Sequence, residues 1–328
     1  MATVLILSTI VLVLICTLLD KYFTRNFNYW KSKNVFYINP IPLLGNMLPA
    51  LTMKTTLGEW LGDLSHKIKK DYFGIFVFDQ PVLVVQSPKL VKLILQKDFE
   101  YFQNRSSAHY EHDPILSNFM FIAKNPQWKA VRSKFSPVFS TGKLKQMFSH
   151  ILNEANLMVD YVSNLANVPN VESKEICAKF STNVIARCAF AIDAGCFNTE
   201  NAEFRSVIKF IKIKINLVIE KGLDVYIQLF ALNYNPEFFT QPEKYDPQKF
   251  ANKSKINNEG LYYVPFGDGP RIFIGNRFEL LAVKIGLVSL LSKYKLEATS
   301  QTPRPIKFEP KALILQSNVG VPLKFVPI

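Results

Sequence analysis

Residues 264–278 read VPFGDGPRIFIGNRF, and they gather the residue types best suited to holding a ligand. Glycine takes positive φ without steric penalty, so Gly267 and Gly269 allow a tight turn and the close approach of a flat molecule. Arg271 offers a cation to an anionic group, and Gly275 stands before an apolar, helix-forming run. Two familiar phosphate-binding designs are excluded by type and spacing: a Walker loop requires Gly-Lys-Ser/Thr, and a dinucleotide turn requires Gly-x-Gly-x-x-Gly. A second candidate is Trp128 with Arg132, at i and i+4 and therefore on one face of a helix. Taken alone, that pair reads as the buried ring and surface cation of an ordinary amphipathic helix.

The other groups that bear chemistry are poorly placed for it. The cysteines, Cys16, Cys177, Cys188 and Cys196, lack C-x-x-C or Cys/His zinc spacing and read as reduced, core or incidental residues. His109 and His112, in H-Y-E-H, have no third metal ligand beside them and read as surface residues.

These residues need elements to position them. Periodicity is helical from about Asn125 to Phe210: Trp128, Val131, Arg132 and Phe135 recur at three and four, and Ile151 to Leu165 carries a second apolar stripe. Ahead of it, GIFVFDQPVLVVQ (74–86) reads as a hairpin broken at Asp79-Gln80-Pro81. A helix over 87–99 follows, with Ser87 as N-cap and Pro88 at its first position. EFRSVIKFIKIK (203–214) begins as an amphipathic helix. INLVIEKGLDVYIQLFAL (215–232) is instead β-branched, with a turn at Lys221-Gly222 and a second strand after it. The prolines of 235–250 predict an ordered meander. After Gly275 a helix is predicted with Phe278, Leu281, Ala282, Ile285 and Val288 on one face. The chain closes with a hairpin of ALILQ (312–316) and VPLKFV (321–326). The fold class is therefore α+β, mostly α with small β-sheets.

Residues 2–19 carry no charge. At about 1.5 Å per residue the run just reaches across roughly 30 Å of hydrocarbon, and it lacks the small-x-small site of a cleaved signal peptide. Residues 1–20 read as a transmembrane signal anchor, and Lys21, Arg25, Lys31 and Lys33 beyond it place the body in the cytosol by the positive-inside rule. Residues 21–50, with Pro40, Pro42 and Gly45, read as an extended, rigid hinge laid against the body. Lys plus Arg number 39 against 26 Asp plus Glu, a net charge of +13. The lysines are dispersed and no zinc-finger, RRM or basic-zipper pattern appears, which argues against nucleic acid. A solvated basic surface is the simplest reading, followed by attraction to an anionic membrane or an acidic protein.

In the setting of a loop followed by an apolar helix, residues 266–275 closely resemble the haem-binding loop of the cytochromes P-450, the haem-thiolate monooxygenases. The family pattern Phe-Gly-x-Gly-x-Arg-x-Cys-x-Gly is met at Phe266, Gly267, Gly269, Arg271 and Gly275. Phe273 stands where the family has the cysteine whose thiolate ligates iron. Residues 125–148 are similar to the family's helix C, whose Trp-x-x-x-Arg pair, here Trp128 and Arg132, points at a haem propionate. YDPQKF (245–250) resembles the Pro-Glu-Arg-Phe meander with Gln248 and Lys249 as departures, and 303–315 resembles the C-terminal sheet. The anchor and hinge look like those of microsomal members, nearest the insect branch.

The resemblance implies a P-450-like domain over 51–328, with haem as cofactor held by Trp128, Arg132, Phe266, Gly269, Arg271 and Gly275. It also implies a lipophilic small-molecule substrate, an NADPH-dependent flavin reductase as electron source, and a place in the endoplasmic reticulum membrane with the body on the cytosolic side. No counterpart is found for the family's central helix with its acid-Thr pair, or for its Glu-x-x-Arg helix. The abrupt change of periodicity then reads as an internal deletion near 211–215, a fold lacking a central block of helices. Three readings stay open: a monooxygenase, a non-catalytic membrane-anchored relative that binds haem or reductase, and a degenerate or mis-spliced gene product.

Overall fold

The computed structural model describes residues 2–105, 118–198, 223–239, 241–250, 263–311 and 316–328. His109, His112, the helix expected over 203–214, the turn at Lys221-Gly222, the junction near 211–215 and all but the last residue of ALILQ lie outside the described residues. The chain divides into two units. The first comprises Met1–His109, Leu217–Arg271 and Pro310–Ala312, and the second Tyr110–Asn216, Ile272–Glu309 and Leu313–Ile328.

The first unit begins with helix α1 (Ala2–Thr24). Its Val4–Thr24 stretch is, among the described residues, the one helix long and apolar enough to cross a membrane, and none of it is buried. The hinge after it is anchored by Trp30, which is 1% exposed. The indole Nε1 donates to Ile75 O at 3.0 Å, and the ring occupies the space that a side chain at Gly74 would need. Tyr37 bridges to Gly74 in parallel, and Asn46 Oδ1 accepts from Phe76 N at 2.7 Å. Residues 30–46 thus contact the sheet at these points, and Tyr29–Ser32 and Leu48–Leu51 form helical turns where an extended chain was expected.

Helix α2 (Leu57–Lys67) starts at a capping box in which Thr56 Oγ1 accepts from Glu59 N and Glu59 Oε2 accepts from Thr56 N, both at 3.1 Å. Two backbone donors left open by the helix start are thereby satisfied. Strands β1 (Tyr72–Val77) and β2 (Gln80–Val85) form the hairpin. The turn falls at Phe78-Asp79, one residue earlier than the sequence suggested, because Val77 pairs with Gln80 and Phe76 with Pro81. Pro81 is accommodated since the second ladder of β2, to residues 224–227, begins only at Val82. Phe73, Ile75, Val77, Val82 and Val84 pack with Trp60 and Leu61 of α2 to make this unit's main core.

The helix expected over 87–99 is α-helical at Pro88–Lys92 (α3) and widens to a π turn at Leu93–Lys97. Strand β4 (Asp224–Ile227), which follows β3 (Val171–Glu172) of the second unit in the chain, adds parallel to β2, giving the order β1-β2-β4. The strand expected to run on to Leu232 stops at Gln228, whose side chain accepts from Phe230 N at 3.1 Å and starts the short helix at Leu229–Asn233. Gln228 Nε2 also donates to Gly58 O at 3.1 Å. A tertiary contact thus fixes the residue at which the chain changes structure.

The second unit is built on helices α4 (Gln127–Phe135), α5 (Thr141–Ser163) and α6 (Ser173–Phe190), with α7 (Asn276–Leu291) near its C-terminal end. Ile151, Ala155, Met158 and Val162 of α5 meet Ile176, Phe180 and Val184 of α6 and Ala282, Ile285 and Leu290 of α7. Spacings of three and four put the α5 set and the α6 set each on one helical face. Phe278 and Leu281 pack at the edge of this core. Val288, expected to join them, is 68% exposed. Helix α7 is apolar nearly all round, so periodicity could not single out its buried face. The terminal strand β6 (Pro322–Pro327) pairs with β5 (Tyr294–Ala298) and with β3 (Val171–Glu172). The expected partner of this strand, ALILQ, lies outside the described residues except for Gln316.

Candidate functional site

The glycine-rich loop is built from short-range turns. Gly267 has φ +72° and its N–H donates to Val264 O at 3.0 Å, closing a tight turn. Gly269 has φ +68° and opens a 3-10 turn, Gly269–Arg271. A side chain at Gly269 would overlap the carbonyl of Leu95 in the π turn, whereas a side chain at Gly267 would enter open space. Gly269 thus lies close against the protein's own backbone, while the space over Gly267 is open. Gln96 Nε2 adds a 2.9 Å bond to Asp268 Oδ1. Phe266 is half-buried in this loop.

Arg271 is 8% exposed. Its Nε donates to Gln103 O at 2.8 Å, and its own carbonyl accepts from Arg105 Nη2 at 3.1 Å. Burial, then the positive charge of Arg105, push the Arg271 guanidinium down to about 10. A cation so placed is stabilised by an incoming anion more than an exposed one would be, because both unfavourable influences act on its charged form. Arg105 was not singled out by the sequence reading. It lies in FQNR, a stretch with no motif, and only the folded chain sets it beside the loop.

In the second unit, Trp128 is buried and Arg132 half-buried on α4, one turn apart as the spacing required. Arg132 Nη1 donates to Ile272 O at 2.7 Å, and burial lowers the Arg132 pKa. The helix and the end of the loop are thus joined through the residue before Phe273. Phe273 is 49% exposed. Its ring lies over Gly275, where an added Cβ would come within 3.1 Å of it. Gly275 is buried with φ −88°, so small size and not left-handed backbone is what this position demands. Its carbonyl accepts from Glu279 N at 2.9 Å and begins α7. Of the six predicted site residues, Phe266, Gly269 and Arg271 belong to the first unit and Trp128, Arg132 and Gly275 to the second.

Cysteine does not compensate at the loop. Cys16 lies on α1, Cys177 and Cys188 lie on α6, and Cys196 is fully buried with its N–H donated to Asn183 Oδ1 at 3.1 Å. Burial, helped by Glu154, raises the Cys188 thiol to about 11, and burial also raises Cys177. Among the described residues no group of three or more His, Cys, Asp or Glu side chains is arranged to hold a metal ion.

The family model for cytochrome P450 matches residues 37–218 and 204–325. The chain belongs to the cytochrome P450 family. Cytochrome P450 6k1 of Blattella germanica is 22% identical over 93% of this chain and 94% of its own length. Cytochrome P450 6j1 of the same insect is 23% identical over 96% of each. A probable cytochrome P450 6g2 of Drosophila melanogaster is 23% identical over 98% of this chain and 99% of its own. These alignments run over 492, 484 and 516 positions, against 328 residues here. This P450 is therefore truncated relative to the relatives it matches from end to end. Its helices and two small sheets agree with a P450-like α+β fold, and membership of a family of haem monooxygenases implies haem as the cofactor.

Proposed function

We propose that this chain is a membrane-anchored cytochrome P450 that does not carry out oxygenation. The observation that carries this reading is Phe273. It occupies the position of the family's cysteine in a loop that otherwise keeps Phe266, Gly267, Gly269, Arg271 and Gly275. Haem bound through a thiolate supplies oxygen activation in this family, and a phenyl ring has no lone pair to ligate iron. The residues present fit the cofactor at one end only. In the first unit Arg271, with Arg105 beside it, suits a carboxylate, and in the second Arg132, on the same helix as Trp128, does so too. Nothing at 273 suits its metal.

The truncation supports the same reading. The family model matches in two pieces that meet within 204–218, the region where the change of periodicity points to a deleted block near 211–215. A chain without the central helix would lack the residues that deliver protons in this family. What remains is a protein able to hold a carboxylate-bearing macrocycle weakly. Its anchor and the following Lys21, Arg25, Lys31 and Lys33 suit the endoplasmic reticulum membrane with the body facing the cytosol. The partners to examine there are an NADPH-dependent flavin reductase and a lipophilic small molecule.

The deciding measurement is the optical spectrum of the reduced, haem-reconstituted protein under carbon monoxide. The expected result is no thiolate-type Soret band. A thiolate band in the unmodified chain would overturn the reading. Phe273→Cys is expected to restore that band without restoring turnover, because the missing block acts independently of the ligand. A longer transcript spanning the codons of 204–218 would instead identify a splice product.

A further inference from the structure

At the open end of the β1–β2 hairpin the first unit has a cleft of about 860 Å³, lined by the end of α2, both strand ends, residues 34–36 and residues 235–238. Three lysines, Lys69, Lys70 and Lys89, line it against Asp71 and Glu237, an excess of one positive charge, with the imidazole of His66 beside them. All three lysines are exposed, and the Lys70 ammonium sits 5.5 Å from the Phe36 ring centroid, so its stem follows the wall of the cleft. Two uncharged lining residues have unused hydrogen-bonding capacity. Ser65 is 6% exposed and its hydroxyl has no hydrogen-bond partner, and the same holds for Gln86 Oε1. Gln86 Nε2 donates to the carbonyls of Ile68 (2.7 Å) and Lys70, which fixes the side chain at the wall.

We propose that this cleft binds a phosphorylated polyol. Lysine ammoniums are point charges suited to phosphate. A lone carboxamide oxygen needs a donor, which a fully ionised phosphoryl group lacks and a polyol hydroxyl supplies. Ser65 can donate to or accept from the same ligand. The exposed rings of Phe36 and Tyr72 give the ligand apolar flanks. The chemistry is shared by a soluble sugar or inositol phosphate and by a phosphoinositide headgroup, the latter available in the membrane that α1 is suited to cross. The site is separate from the glycine-rich loop and does not depend on haem.

The test uses the full chain, in detergent and in phosphatidylcholine vesicles, with lysine acetylation read by mass spectrometry. Inositol trisphosphate is expected to slow acetylation of Lys69, Lys70 and Lys89 saturably, with Lys143 and Lys145 on α5 unaffected. Calorimetry should show affinity falling by roughly tenfold or more in a Lys69→Glu/Lys70→Glu/Lys89→Glu variant, as expected when attraction becomes repulsion. Those side chains are exposed, and circular dichroism checks that the variant folds. Ser65→Ala should weaken inositol trisphosphate and leave inorganic phosphate unchanged. Protection by the soluble compound assigns a soluble ligand, and protection only by vesicles containing phosphatidylinositol bisphosphate assigns the lipid. Protection by neither, equal protection by inorganic phosphate, or binding undiminished in the charge-reversed variant would each overturn the proposal.

Discussion

Arg132 Nη1 and the carbonyl oxygen of Ile272 are 2.7 Å apart, so helix α4 is hydrogen-bonded to the residue that precedes Phe273. A charged donor in a half-buried setting makes this bond stronger than a neutral one, about 1.5–3 kcal/mol by general experience. Arg132→Ala is expected to lower unfolding stability by about 1–3 kcal/mol, read from denaturant midpoints. No change would mean that the guanidinium is free to serve a ligand alone.

The two positive-φ glycines of the loop should respond differently to alanine. At Gly267 the added methyl meets open space, so only the left-handed backbone is penalised, by about 1–2 kcal/mol. At Gly269 the same penalty is joined by overlap with the Leu95 carbonyl, and the loop or the π turn must move. Urea titrations of the two variants should rank Gly269→Ala well below Gly267→Ala.

Alkylation should report the buried thiols. Cys188, raised to about 11 by burial and Glu154, remains a thiol at neutral pH, and the thiolate is the reactive species. Its iodoacetamide labelling should be negligible near pH 7 and rise about tenfold per pH unit until the approach to pH 11. Fast labelling at neutral pH would show a thiolate and reopen Cys188 as a metal ligand.

The second unit holds a buried polar knot. Asn183 Nδ2 donates to Glu154 Oε2 at 2.9 Å, and Asn183 Oδ1 accepts from Cys196 N at 3.1 Å. Arg187 Nε reaches Glu154 Oε1 at 3.4 Å. Asn183→Ala removes one donor from a nearly fully buried carboxylate and an acceptor from the Cys196 N–H. The expected cost is about 2–4 kcal/mol, measured by thermal or chemical unfolding. Replacement by Asp should be worse, since it sets a second carboxylate against Glu154.

Much of the fold follows from local chemistry and was readable in the chain. A charge-free run of eighteen residues, 2–19, makes an apolar helix, and three-four periodicity in α5 buries Ile151, Ala155 and Met158. The loop's glycines, Arg271 and the α4 pair were recognisable because type and spacing alone mark them. What escaped depends on distant partners. Gln228 ends a strand through a cap and a bond to Gly58 O, β6 chooses β5 and β3, and Val288 faces outward from a helix that is apolar on every side.

The sequence by itself determined the family, the charge-free apolar run at 2–19 and the absence of sulfur at residue 273, because each is a matter of residue identity at a position. Only the tertiary structure decided which groups surround those positions. It placed Arg105 against Arg271 and depressed that guanidinium, and joined Arg132 to Ile272 O. Burial and through-space charge arise when segments more than a hundred residues apart meet, and no local spacing encodes them.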